Sequence, residues 1–148
     1  MTSGELKTSG YKDLLVWQKG ITLVKRIYQT TQSFPAEEKF GLVSQMRRAA
    51  VSVPSNIAEG QARHTTREFI QFISHAEGSV AELETQLIIA IELGYCNRTA
   101  MDDTFHLLSE LRRMLNSLRR KLERKVTSDR KVTSDRKVTS DRKVTSDK

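Results

Sequence analysis

The chain has little of what holds small secreted or catalytic domains together. Its 148 residues include one cysteine, two prolines and seven glycines. A single cysteine cannot form an internal disulfide, so stability has to come from a buried apolar core, which a chain of this length can build. The sequence also lacks a Gly-rich phosphate loop, a CxxC pair, a signal-peptide-like start and any apolar run of about eighteen residues. We therefore predict one soluble, cytoplasmic domain with no membrane partner.

No catalytic or metal-binding constellation is evident. Di-iron sites in helical bundles need a glutamate three residues before a histidine, and none of the three histidines has one. Asp102, His106 and Glu110 share one helical face, but that face flanks the apolar stripe, which favours a charge-paired surface over metal ligands. Cys96 has no neighbouring histidine in sequence and is interpreted as a structural thiol. We predict a protein without enzymatic activity, cofactor or metal.

Positive charge is unevenly distributed along the chain. The formal net charge is +7, and the pI is about 9.8. Residues 1–123 hold 16 Lys and Arg against 14 Asp and Glu, a net of +2, whereas residues 124–148 hold 9 against 4, a net of +5. Basic charge suggests a nucleic-acid partner, and most of the excess lies in the carboxyl-terminal tail.

Four amphipathic stretches predict an all-α protein. Apolar residues recur at steps of three and four over residues 12–31, from Pro35 to Gly60, over residues 65–93, and from Asn97 or Thr99 onwards. Long helices joined by short connections favour an antiparallel, up-down-up-down four-helix bundle. In the first helix the predicted core stripe is Leu14, Trp17, Ile21, Val24 and Tyr28.

Local signals mark where these helices begin, bend and end. Thr65 and Glu68 have the spacing of a capping box at the start of the third helix. Gly60 and Gly94 are the predicted stops of the second and third helices. Pro54 lies inside the second helix, where its ring and missing N–H predict either a kink or a break into two short helices.

The same signals divide the chain into three parts. Residues 1–10 are the predicted flexible lead, 11–123 the bundle and 124–148 a basic tail. The tail repeats RKVTSD four times. A six-residue period matches no helical face, and valine, threonine and serine are poor helix formers. We therefore predict a disordered tail with weak, salt-sensitive attraction to RNA or DNA.

Two groups of basic residues are the candidate sites. The first lies along the second helix and its exit: Arg47, Arg48, Arg63, His64 and Arg67. The second lies on the fourth helix before the tail: Arg112, Arg113, Arg119, Arg120 and Lys121. Arginine suits bidentate phosphate contacts, but the same side chains also form salt bridges across helices or subunits. Nucleic-acid contact and protein interface both stay open as hypotheses.

Several motifs resemble one bacterial family. They are YKDLLVWQKGITLV at 11–24, FPAEEKFGLVSQMRRAAVSVPSNIAEG at 34–60, FISHAEGSVAELETQL at 72–87 and LGY at 93–95. In this order they resemble the four-helix-bundle proteins encoded in intervening sequences of 23S ribosomal RNA genes, over about residues 11–122.

The resemblance carries expectations about assembly and partners. It implies a homopentameric ring, and the apolar belts at 14–17 and 87–91, too wide for one core stripe, fit an additional contact surface. The family is similar to the accessory variability protein of diversity-generating retroelements, a basic pentamer that binds nucleic acid and a reverse transcriptase. The resemblance thus implies a non-enzymatic oligomer with RNA or DNA as partner, or a scaffold for a protein such as a polymerase.

Overall fold

Four α-helices carry the fold. The computed structural model describes residues 10–144. The helices are α1 (Leu15–Thr31), α2 (Leu42–Gln61), α3 (Thr66–Glu92) and α4 (Asp102–Val144). Short 3₁₀ turns precede α1, α2 and α4, at Tyr11–Asp13, Ala36–Glu38 and Thr99–Met101. Between residues 10 and 144 the chain forms no strand, so the predicted all-α class is confirmed.

Each helix packs against two others, in the order α1, α2, α3, α4 and back to α1. Gly20 early in α1 lies against Pro54 late in α2, whereas Tyr28 late in α1 lies under Arg47 early in α2. These two helices therefore run in opposite directions. The four helices enclose one apolar core and so form a bundle, as predicted.

The core is built from one stripe of each helix. Its fully buried large side chains are Leu23, Ile27, Met46, Val53, Ile57, Ile73, Val80, Leu83, Leu87, Leu108, Leu111 and Leu115. Removing one such side chain from water contributes about 1.5–3 kcal/mol. Most of this free energy offsets the conformational entropy that the chain loses on folding.

The stripe predicted for the first helix is correct at Leu14, Trp17 and Val24, which are partly buried against the core, and wrong at its other two positions. Ile21 and Tyr28 are 38% and 41% exposed, whereas Leu23 and Ile27 are fully buried. The buried side of α1 contains Gly20, where an added Cβ would lie 3.2 Å from the Pro54 Cβ. Because glycine has no side chain, α2 can approach α1 closely at this point. Packing against a neighbour, rather than the number of apolar residues, decides which stripe is buried.

Pro54 lies inside α2, which continues on both sides of it. The alternative of two short helices is therefore not found, and a kink stays a prediction. Two residues beyond the proline, the Asn56 amide Nδ2 donates to the Ser52 carbonyl at 2.8 Å and to the Ser52 hydroxyl at 2.8 Å. The side chain of Asn56 thus adds hydrogen bonds where the proline removes one.

The predicted start of the second helix is also wrong. Pro35 precedes the 3₁₀ turn Ala36–Glu38, and α2 begins only at Leu42. The Glu38 carboxylate accepts the Leu42 N–H at 2.9 Å, which satisfies one of the unpaired N–H groups at this end. A proline that begins a 3₁₀ turn and one that begins an α-helix have the same local signature, because both need the same φ.

The boundaries of α3 follow the sequence signals. The Thr65 hydroxyl accepts the Glu68 N–H at 3.2 Å, as a capping box requires, and Gly94 takes φ +80° just beyond the last turn. Both predictions are confirmed. Gly60, by contrast, does not stop α2, which runs on to Gln61. Gly60 is buried where α2 meets α3.

The tail differs from the prediction of disorder. Helix α4 continues through the repeat as far as Val144, while residues 145–148 and the first nine residues of the predicted flexible lead lie outside the described range. Extending an existing helix costs less than nucleating a new one, so weak helix formers can follow α4. The Thr127 and Thr133 hydroxyls fit the helix by donating to the carbonyls of Glu123 and Asp129.

Removal of the Thr65 hydroxyl tests the capping contact. We expect Thr65→Ala to lower the free energy of unfolding by about 1 kcal/mol, because the Glu68 N–H loses its acceptor at an exposed helix end. Urea denaturation of the two proteins measures the difference. The neighbouring Thr66→Ala, one position inside the helix, is the matched control and leaves stability within about 0.5 kcal/mol.

Candidate nucleic-acid interface

The exposed half of α4 before the tail carries a run of cations. Between residues 112 and 125 the helix holds seven Lys and Arg against one glutamate, over a rise of about 20 Å. The exposed members from the second predicted group, which we call the α4 basic face, are Arg112, Arg113, Arg120 and Lys121. None of the four forms a salt bridge with any side chain that the structure describes. Solvent-facing guanidinium groups without a carboxylate partner are suited to phosphate.

Arg119 has a different role. Its Nε donates to Glu77 of α3 at 2.6 Å, its Nη1 to Glu123 at 3.0 Å and its Nη2 to Asn116 at 2.8 Å. The hydrogen bond to Glu77, followed by the one to Glu123, raises the pKa of the guanidinium. This side chain ties α4 to α3 and neutralises the one acidic residue of the basic run. Four of the five predicted residues therefore form the exposed face.

The α4 basic face borders an apolar groove. The groove lies between α4 and the start of α1, measures about 430 Å³ and is lined by Arg113, Lys121, Leu15, Leu118 and neighbouring side chains. The Arg113 guanidinium also donates to the Ser109 hydroxyl at 3.0 Å. Cations beside an apolar surface can contact both the phosphates and the bases of a flexible strand.

The first predicted group does not come together. Arg47 lies in α2, whereas Arg63 lies just beyond its end. The two residues are sixteen positions apart, which corresponds to about 24 Å along the helix axis. At the exit, the Arg63 guanidinium covers the Phe72 ring at 4.8 Å, and His64 and Arg67 are exposed nearby. Proximity in sequence was misleading, because a helix spreads its residues along its axis.

Arg47 is held by contacts within the chain. Its Nε donates to the Thr31 hydroxyl at 2.9 Å, its Nη2 to the Tyr28 carbonyl at 3.4 Å, and its guanidinium lies 4.4 Å from the centre of the Tyr28 ring. These contacts bind α2 to the end of α1. They also fix the orientation of the Tyr28 ring, so Arg47 acts as a positioning residue for this aromatic side chain.

A second groove opens between α1 and α2. This α1–α2 groove measures about 640 Å³ and is lined by Tyr28, Lys39, Phe40, Val43, Ser44, Arg47, Arg48, Val51 and Ser52. Phe40 is 89% exposed, and Arg48 is exposed beside it. This surface was not predicted from the sequence, because the apolar periodicity of α1 places Tyr28 in the core stripe. The signal that was available is that α1 has two apolar stripes, of which only one can face the core.

The remaining titratable groups form no further site in the described chain. Among the side chains that the structure describes, no group of three His, Cys, Asp or Glu is placed to hold a metal ion. Glu110 belongs to the helical face that was considered above as a metal site. Its Oε1 forms a salt bridge with the Lys19 Nζ at 2.8 Å. Cys96 is partly buried, and burial raises the pKa of its thiol, which disfavours the reactive thiolate. No described helix is long and apolar enough to cross a membrane.

The fold and its surfaces define a small four-helix-bundle protein with an exposed basic face. Within this class, the model of the 23S rRNA-intervening sequence protein family matches residues 12–117, so the chain belongs to that family. The crystal structure of a protein of unknown function from the S23 ribosomal protein family of Bacteroides thetaiotaomicron has the same fold. It is 24% identical with a TM-score of 0.66, over 71% of this chain and 95% of that one. No curated protein matches the sequence.

Proposed function

We propose that this protein is a non-enzymatic homo-oligomer, with five subunits, that associates with nucleic acid. The family description suggests ribosomal RNA as the first ligand to test. The α4 basic face is the observation on which the proposal rests, because it presents four unpaired cations along one helix. Phosphate contacts of this kind supply affinity without depending on base sequence.

Oligomerisation would raise the affinity of the α4 basic face for nucleic acid. Residues 1–123 of one subunit carry a net charge of only +2, but a ring repeats the same face in every subunit. When several faces engage one RNA, each later contact is intramolecular, and the combined affinity exceeds that of a single face by orders of magnitude. Local charge per subunit therefore matters more than net charge.

The helical extension beyond residue 123 would add to this association. Arg124, Lys125, Arg130 and Lys131 are exposed on α4. Because six residues advance a helix by about 240°, these four cations point in different directions around the helix. Such a segment favours weak attraction to phosphate with no preferred orientation.

A protein-interaction scaffold is the second candidate function. The α1–α2 groove favours it, since large exposed apolar side chains on a surface mark protein contacts more often than phosphate sites. In this version the arginines of the first group would serve subunit interfaces or a docked protein such as a polymerase.

A salt titration of RNA binding tests the proposed function. We expect the full chain and a version ending at Glu123 both to bind a labelled hairpin RNA at low salt, with the full chain showing the steeper salt dependence. Every described core residue precedes residue 123, so the shorter chain keeps the bundle intact. No binding by either protein at low salt would refute nucleic-acid association. Binding by the full chain alone would assign the affinity to the extension.

A further inference from the structure

We infer that the subunits assemble head to tail, with the α1–α2 groove of one copy receiving the outer face of α3 from the next. The α3 outer face comprises Ile88, Ile89 and Leu93. The inference rests on the proposed homo-oligomer and specifies which surfaces form it. Of the first basic group, it assigns Arg48 to a subunit interface.

The groove has the apolar content of a helix-docking site. Phe40 projects almost entirely into solvent, and the exposed Tyr28 and Val51 lie on the two helices that form the walls. Arg47 holds the Tyr28 ring in place through its stacking contact. A surface whose aromatic side chain is already ordered loses less entropy on binding than a mobile one.

The second surface is an uncovered side of α3. Ile88, Ile89 and Leu93 are all exposed, Leu93 by 56%, although α3 also has a separate stripe in the core. Earlier along the same helix, a Cβ added to Gly78 would meet no atom within 4 Å, and Ala81 is exposed. The helix therefore offers a smooth side that ends in three large apolar residues, as expected of a helix that packs into a groove.

The two surfaces carry opposite charges, so each is complementary to the other and not to a second copy of itself. The groove is lined by Lys39, Arg47 and Arg48 and by no acidic residue. Helix α3 from Glu68 to Glu92 holds neither lysine nor arginine, and its exposed Glu82 and Glu92 lie on the same side of the helix as Ile89. Pairing groove with groove would oppose cations, and pairing α3 with α3 would oppose carboxylates. Pairing one with the other brings opposite charges together around an apolar centre.

Two different surfaces that fit each other produce a head-to-tail assembly. Each subunit then uses its groove on one side and its α3 outer face on the other, and the chain of subunits closes into a ring when the rotation between neighbours allows it. Arg48 and Lys39 are assigned to this contact. The α4 basic face takes no part in it and stays available to nucleic acid.

Two single-surface variants test the assignment. Val51→Asp places a charge in the groove, and Ile89→Asp places one on the α3 outer face; both positions are exposed in the subunit, so the bundle itself is preserved. We expect each variant alone to be monomeric by sedimentation at a concentration where the unaltered protein is assembled. An equimolar mixture should instead form dimers, because each variant supplies the surface that the other lacks.

The outcomes separate the inference from the proposed function. A monomeric unaltered protein overturns both. An assembled unaltered protein whose mass survives either aspartate variant, or whose variants stay monomeric when mixed, overturns the head-to-tail contact and leaves oligomerisation standing. Leu15→Asp is the control: Leu15 is 57% exposed and lies in the apolar belt at residues 14–17, which this assignment leaves outside the contact, so the mass should not change. Dissociation by this variant equal to that of the others also overturns the assignment.

A companion variant covers the case in which an aspartate variant does not fold, as judged by circular dichroism. Arg48→Glu alters only an exposed polar side chain of the groove. It should raise the dissociation constant of the assembly at least about tenfold, because the glutamate faces the carboxylates of α3, while Arg48→Lys should preserve it. An unchanged constant for Arg48→Glu contradicts the charge pairing.

Discussion

Replacing Arg113 and Arg120 together by glutamine is expected to weaken RNA binding about 10- to 100-fold near 0.1 M salt. Each phosphate contact that is lost removes about 0.7–0.9 from the slope of log affinity against log salt, so two losses per bound subunit flatten the slope by about 1.5. Both side chains are exposed on α4 and neither forms a salt bridge in the described chain, so the bundle should keep its stability. Fluorescence anisotropy with a labelled hairpin RNA at several salt concentrations measures both quantities.

The control variant removes the same number of positive charges from a different part of the chain. Lys12 and Lys25 are exposed on the amino-terminal part of the chain, outside the α4 basic face. If the double variant Lys12→Gln and Lys25→Gln weakens binding as much as the α4 pair, the attraction depends on net charge alone and the face is not a site. Unchanged circular dichroism and sedimentation mass confirm that neither pair of substitutions acts through folding or assembly.

Much of the fold was predictable because helix signals are local. The capping Thr65 and the terminal Gly94 of α3 follow from two short-range rules, and the structure agrees with them. The stripe of α1 failed in part because burial is a property of neighbours. The exposed Tyr28 and the buried Ile27 are adjacent and both apolar, so their side chains point about 100° apart, and only the positions of the other helices decide which of the two faces the core.

The candidate site was predictable only in part, for the same reason. The basic run of α4 is visible in the sequence, but the removal of Arg119 from it depends on Glu77, forty-two residues away on another helix. Arg47 and Arg48 are adjacent in sequence and have different roles, since one is bonded to α1 and the other is exposed. Residue type predicts that an arginine seeks an anion or an aromatic ring, but the tertiary fold selects the partner.

The tail illustrates how context overrides propensity. Valine, threonine and serine lower the tendency of the RKVTSD repeat to form a helix on its own. Helix α4 is already nucleated and packed as far as Leu122, so the repeat only has to extend it. A prediction made for the isolated segment could not include the helix that precedes it.

Gly60 and Gly78 are expected to respond in opposite directions to the same substitution. A Cβ on Gly60 would lie 2.7 Å from the Phe72 Cβ and 2.8 Å from the Phe69 ring, and the Phe72 Cβ cannot move without its backbone. Gly60→Ala should therefore force α2 and α3 apart and lower the free energy of unfolding by about 1–3 kcal/mol. Gly78→Ala meets no atom within 4 Å and should raise it by about 0.5–1 kcal/mol, because alanine loses less backbone entropy in a helix.

Urea denaturation of both variants at one protein concentration measures the contrast, since assembly would make stability depend on concentration. The pair holds the chemistry of the substitution constant and varies only the space around it. Equal shifts for the two alanines would mean that α2 and α3 are not in close contact at Gly60, and a stabilising Gly60→Ala would mean that this glycine limits the helix rather than admitting its neighbour. The opposite signs that we expect follow from the close contact of α2 with α3 at Gly60 and from the open space around Gly78.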